Sequence, residues 1–214
     1  MKKWFYNLAA TAAIAFVAFS NASAKDKTVL FLSEDVPPSL NYDGPNASSP
    51  PTQMGIVNLM EPLIYYAEKS RGSDGAVFLD VNKFEGRLAE SWTHDKANNK
   101  WTFKLRKGVK GCNGATFDAD DVIYTFQRAK TVSGKAPVGW FLSNVGSIAG
   151  YTPAVFGQEE KNIEAKKLKD SEVRKIDKYT VEFTQSGPNK LFLPVLTIFA
   201  LYIFDKELME ANAT

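Results

Sequence analysis

For nucleophilic chemistry this chain of 214 residues offers one histidine and one cysteine. A thiol enzyme built on Cys112 and His94 needs the two within hydrogen-bonding reach, in an electropositive setting that lowers the thiol pKa. Cys112 instead falls in the polar turn Gly111-Cys112-Asn113-Gly114, and His94 stands beside Asp95 between two predicted strands, where a solvent-facing turn histidine is expected. A thiol hydrolase is therefore the alternative reading, and no catalytic activity is expected. Asp118, Asp120 and Asp121 group three carboxylates, yet they lack the glycine and distal glutamate of a calcium hand. Helix capping accounts for all three, so neither a metal nor a cofactor is expected. Phosphate-cradling glycine loops, zinc spacings and Gly-x-Ser-x-Gly elbows do not occur. The residue types that remain suit recognition. The loop Pro137–Asn144 carries Trp140, Phe141 and Asn144, and aromatic side chains give large contact area at small entropic cost. A hydrophobic plug beneath a long loop would use the same aromatics. In Pro51-Thr52-Gln53 the Gln53 amide offers hydrogen bonds to a polar ligand, while Thr52 suits a helix cap equally well.

Several elements must position these residues. Trp101, Phe103 and Leu105 alternate with Thr102, Lys104 and Arg106, the period of a half-buried strand. Asp118 predicts a helix start, with Asp121 at the capping-box position and Val122, Ile123, Phe126 and Ala129 forming the buried face. Tyr179, Val181 and Phe183 predict a second strand, ended by Gly187-Pro188, where Pro188 could open a helix. Thr28–Leu32 reads as an opening strand, and Met54, Val57, Leu59, Met60 and Leu63 as the face of a buried helix. Ser70–Gly75 reads as a turn, 133–150 as loop, and Lys161–Lys169 as an exposed helix. Leu191–Phe204 is strongly apolar but too short for a membrane span and interrupted by Pro194, so a buried helix followed by a core strand is expected.

The order of three segments resembles a known signature. Leu88-Ala89-Glu90-Ser91-Trp92, then Phe103 to Val109, then Phe117 to Val122 are similar to the Leu-Ala-Glu-Ser-Trp, Phe-x-Leu-Arg-x-Gly-Val and Phe-Thr-Ala-Asp-Asp-Val runs of family 5 extracellular solute-binding proteins. That family serves peptide and nickel ABC transporters. Asn58 to Ile64 resembles its Asn-Leu-Tyr-Glu-x-Leu segment. The chain departs at Gly111–Gly114, where the family commonly has Trp-x-Asp-Gly, and at Asp118, which replaces a threonine cap. Asn113-Gly114 remains a strong turn dipeptide, and aspartate caps as well as threonine. The resemblance implies an α/β fold of the type II periplasmic binding protein class, with two lobes of which this chain supplies most of the first. It also implies that Trp140, Phe141 and Asn144, with Thr52 and Gln53, line the cleft between lobes. The implied ligand is a small molecule, foremost a peptide. The implied partner is the permease of an ABC importer.

Lys2-Lys3, the apolar run Leu8–Phe19 and the small-x-small triplet Ala22-Ser23-Ala24 form a three-part export signal, so residues 1–24 are expected to be removed and 25–214 to form the first lobe. Without Lys2 and Lys3, the 26 basic residues fall to the number of acidic ones, 24. Such balance gives no electrostatic case for nucleic acid or an anionic membrane. No cysteine follows the cleavage point and a single cysteine forms no intrachain disulfide, so a soluble periplasmic monomer held by core burial is expected. Members of the family are much longer, and the chain reads as the N-terminal portion of such a protein. A chaperone-like periplasmic module with an exposed apolar face is the third reading.

Overall fold

The structure is a computed structural model that describes residues 49–131, 141–150 and 167–212. These belong to one unit of the chain, Asp35–Thr214; the other, Met1–Glu34, lies outside the described residues, as do the expected signal, the strand at Thr28–Leu32, and Trp140. Helix α1 (Pro50–Leu59) leads into strands β1 (Ile64–Arg71) and β2 (Val77–Gly86), which form a two-stranded antiparallel ribbon. Strands β3 (Ala89–Asp95), β4 (Lys100–Leu105), β5 (Val173–Asp177) and β6 (Thr180–Thr184) form an antiparallel sheet in the order β3-β4-β6-β5. Helix α2 (Ala119–Thr131) packs against β5 and β6.

The core follows from alternation. On β4 Phe103 and Leu105 are buried while Lys104 is exposed; on β6, register places Val181 opposite Phe103 and Phe183 opposite Trp101. From α2, Val122 and Phe126 are fully buried, and the Phe126 ring meets Phe183 edge-on at 4.8 Å. Sheet and helix thus close on one aromatic cluster, whose burial supplies the main favourable folding term. The start of α2 is a reciprocal capping box. Asp118 accepts from the Asp120 amide at 2.7 Å, and Asp121 accepts from the Asp118 amide at 2.9 Å.

Several expectations are corrected. On α1 the buried residues are Thr52 and Ile56, whereas Met54, Val57 and Leu59 are exposed. The apolar spacing fits two stripes of one helix, and the pattern does not say which stripe faces the core. Strand β1 runs through Ser70 and Arg71, leaving the turn to Gly72–Gly75, with a hydrogen bond from the Gly75 amide to the Gly72 carbonyl. His94 lies within β3 rather than in a turn, because the tight turn begins only after Asp95, whose carboxylate accepts from the Ala97 and Asn98 amides. Pro188 opens no helix: helix α3 (Phe192–Val195) starts four residues later, and a 3₁₀ turn follows at Phe199–Leu201. Burial of Leu191–Phe204 is largely as expected, but no strand forms there. Most of its amides close local turns, while Ile203 reaches across to the Glu61 carbonyl at 3.0 Å and Phe204 to the Thr125 hydroxyl at 2.9 Å. Lys167–Lys169 are not helical; the rest of the predicted helix at 161–169 lies outside the described residues.

Candidate functional site

Residues 141–150 carry the first group of candidate ligand contacts. Phe141–Val145 forms a turn of π-helix, closed by the Gly146 amide on the Phe141 carbonyl at 2.8 Å and by the Ile148 amide on the Leu142 carbonyl at 3.0 Å. Leu142 and Ile148 are buried and anchor it, Phe141 is half-buried against the core, and Asn144 is exposed. Three side chains from the segment after β6 hold the turn. The Asn189 amide group donates to the Val145 carbonyl at 2.6 Å and to the Ser147 hydroxyl at 2.7 Å. Gln185, itself buried, donates to the Gly146 carbonyl at 3.4 Å and accepts from the Trp101 indole at 2.8 Å. Ser186 donates to the Ser147 carbonyl through its hydroxyl at 3.3 Å and also through its backbone amide at 2.9 Å. Ser147 is left-handed, with φ of 52°. Gly150 ends the segment at φ of 78°, and a Cβ there would lie 1.8 Å from the Glu172 carboxylate.

Thr52 and Gln53 occupy a second place. Ser49, not Thr52, stands at the N-cap of α1; Thr52 lies in the first turn, fully buried, and its hydroxyl oxygen accepts from the Ser49 hydroxyl at 2.8 Å. Pro50 takes the first helical position, where its missing N–H costs nothing. Gln53 is half-buried, with its backbone amide donated to the Ser49 carbonyl at 3.0 Å. The π turn packs on α3, and α1 packs on the Phe199–Leu201 turn, so both candidate segments dock on successive turns of the same apolar run.

The alternative chemistry is not assembled. The His94 ring stacks on Trp101 at 4.0 Å and 7°, beside the tight turn, and its buried Nε2 has no hydrogen-bond partner among the described residues. Cys112 is exposed in the turn beyond the opposite end of β4. From Trp101 to Leu105 the strand advances about 13 Å at roughly 3.3 Å per residue. The acidic residues are likewise occupied in structure. Besides capping α2, Asp121 accepts from the Lys206 amide at 2.8 Å, which joins helix α4 (Lys206–Ala211) to α2. Burial raises the Asp121 pKa, against the two amides that favour its charge. Asp121, Asp205 and Glu207 bring one carboxylate oxygen each within 4.8 Å of one another, on the wall of a cavity of about 830 Å³ whose lining mixes apolar residues such as Val109, Ile203 and Leu208 with the charged Glu61, Lys110 and Arg128. Thr52, Gln53, Phe141 and Asn144 do not line this cavity.

Residues 83–213 match the family described as bacterial extracellular solute-binding proteins, family 5 Middle. The chain belongs to this family. The matched region contains the whole β3-β4-β6-β5 sheet, α2 and the π turn. This family 5 chain is 34% identical to the periplasmic oligopeptide-binding protein OppA of Escherichia coli over 109 residues, which is 51% of this chain and 18% of that protein. It is 25% identical to the dipeptide-binding protein DppE of Bacillus subtilis over 194 residues, covering 89% of this chain and 31% of the relative. Among solved structures, the murein tripeptide binding protein MppA of Escherichia coli superposes with a TM-score of 0.61 at 23% identity, over 84% of this chain and 31% of that one. The fold is therefore that of the type II periplasmic binding proteins. The chain spans less than a third of the length of these relatives.

Sequence reasoning missed the residues that hold the π turn. Gln185, Ser186 and Asn189 read as the end of a strand and a Gly-Pro break, and no local pattern connects them with a segment some forty positions earlier.

Proposed function

We propose that this family 5 chain belongs to the solute-binding component of an ABC importer, and that the solute is a peptide captured in a cleft between two lobes and handed to a permease in the inner membrane. Family membership over 83–213 carries the reading, supported by relatives whose names specify oligopeptide, dipeptide and murein peptide binding. Cleft burial plus a few converging polar groups would supply the affinity, without covalent chemistry. On this side of the cleft we assign the contact to Phe141 and Asn144 on the π turn and to Trp140, which precedes it in sequence and lies outside the described residues, with Thr52 and Gln53 as the second group. Gln53 would offer its side-chain amide, and buried Thr52 would act by holding the start of α1. Export would remove residues 1–24 and deliver a monomer to the periplasm.

Protein recovered from the periplasm should begin at Lys25 by mass spectrometry. Calorimetry of the two-lobed protein that contains this chain, with alanine di-, tri- and tetrapeptides and with nickel chloride and raffinose as controls, should give heat with peptides alone, because half a cleft would bury too little of the ligand. Heat with nickel or raffinose but no peptide would overturn the choice of solute. Retention of Met1–Ala24 would overturn the export route.

A further inference from the structure

We propose that Asn189 and Gln185 are positioning residues that lock the Phe141–Val145 turn in its π geometry, so that the surface carrying Phe141 and Asn144 is set before any ligand arrives. The inference rests on reading that turn as ligand-facing. Turns of π-helix are rare and concentrate at functional sites, because five-residue closure is poorer than the α-helical alternative and persists only where its surroundings over-determine it. Here the surroundings do so at three successive residues. Asn189 places its two N–H bonds on Val145 and Ser147, and Gln185 reaches Gly146 between them. A left-handed serine is unfavourable on its own, and the Ser147 hydroxyl and carbonyl are both held, by Asn189 and by Ser186.

Neither clamp residue is free to turn. The Asn189 side-chain oxygen accepts from the Leu191 amide at 2.8 Å, which fixes the amide group with its donors toward the turn. The Gln185 oxygen is fixed by the Trp101 indole, whose ring stacks on Phe192 at 5.2 Å and so belongs to the aromatic core. Rigidity of the sheet is thereby transmitted to a segment that has no regular ladder of its own beyond the bridge between Ile148 and Gln185. A ligand that met a loose turn would have to order it and lose affinity accordingly; the clamp removes that cost.

Asn189→Asp tests this, because a carboxylate keeps the bond from Leu191 but can no longer donate to Val145 or Ser147. In the two-lobed protein that contains this chain we expect amide exchange at Gly146 and Ile148 to accelerate about tenfold or more, the effect of losing hydrogen bonds that close a local opening unit. Exchange at Phe103 and Val181, in the sheet, should not change. Affinity for trialanine should fall in the same variant while its melting temperature stays near wild type. Asn189→Ala, which adds no charge, should behave alike and covers the case of a variant that fails to fold. Unchanged exchange at Gly146 and Ile148 would overturn the proposal, as would equal trialanine affinity in wild type and variants. If the wild type itself binds no trialanine, the peptide reading fails on its own, and the exchange rates still decide for or against the clamp.

Discussion

Asp118 and Asp121 show how much one pair of side chains settles at this scale. Their reciprocal bonds satisfy two amides at the head of α2, and Asp121 also takes the first amide of α4. Asp118→Ala should cost about 1 kcal/mol in a urea denaturation, the usual loss for a cap. A chelator should leave the wild-type melting temperature unchanged; a chelator-sensitive wild type would mean that the carboxylates hold metal instead. Glu182 makes the acid dependence predictable. Burial works against its charge, but hydrogen bonds from Lys100 and Arg174, at 2.9 and 2.8 Å, overcome this and lower its pKa. A carboxyl whose pKa is lower folded than unfolded stabilises the protein above the unfolded value of 4.5 and stops doing so as pH falls through the folded value. Glu182→Gln should therefore lose about 1 kcal/mol at neutral pH, a small figure because solvent screens the partly exposed Lys100 and Arg174. The gap from wild type should close below the ordinary glutamate range, and a gap constant from neutral to acid pH would refute the assignment. The cap was legible in the sequence because its signals lie within four residues. The Glu182 cluster was not, since Lys100 comes from a strand more than eighty positions away.

Elements are joined by contacts of a different kind. Lys130 at the end of α2 and Glu172 before β5 form a buried ion pair at 2.5 Å, with both side chains about 5% exposed or less. Glu172 also accepts from the Lys169 amide at 3.2 Å, and its carbonyl accepts from the Thr184 amide at 2.7 Å, so one residue ties helix, loop and sheet together. Removing one partner strands a buried charge, and Lys130→Met should destabilise by about 3 kcal/mol or more. The pair Lys130→Met with Glu172→Leu should recover most of that loss, because no uncompensated charge remains. Equal losses in single and double variants would show that the pair acts through packing alone. Gly150 depends on the same contact: with positive φ and the Glu172 carboxylate where a Cβ would go, Gly150→Ala should be at least as damaging as Lys130→Met. Legibility at this scale followed periodicity. Strands β4 and β6 and helix α2 announced themselves because each has one buried face. Leu191–Phe204 did not, because a segment apolar all round carries no period, and its proline and local amide bonds resolved it into two short turns. The π turn had no period either, and distant side chains hold it.

At the scale of the molecule, apolar surface is distributed unevenly. Leu59 is 68% exposed and Val57 49% on α1, and Val81 and Phe78 are 70% and 58% exposed on the β1-β2 ribbon, although each lies in a well-formed element. Composition anticipated a core but gave no sign of these faces, because a hydrophobic residue looks the same in sequence whether it meets the core or the solvent. Single exposed apolar residues are ordinary, but clusters of them on one element mark surfaces suited to contact. Such surface should bind a hydrophobic fluorescent dye in the purified chain. Two double variants, Val57→Lys with Leu59→Lys and Phe78→Lys with Val81→Lys, should each lower dye fluorescence. Neither should change stability by more than about 0.5 kcal/mol, the usual range for surface positions. A lysine in place of an exposed apolar residue keeps its charge in water, whereas the same change at Ile56 or Leu63, each 1% exposed, would bury it. If either pair instead cost several kcal/mol in urea denaturation, the side chains would be core residues in solution and the exposed faces of α1 and β2 would not exist there. If stability held and dye binding were unchanged, the dye would be reporting the cavity beside Ile203 and Leu208, and Leu208→Lys should then remove the signal.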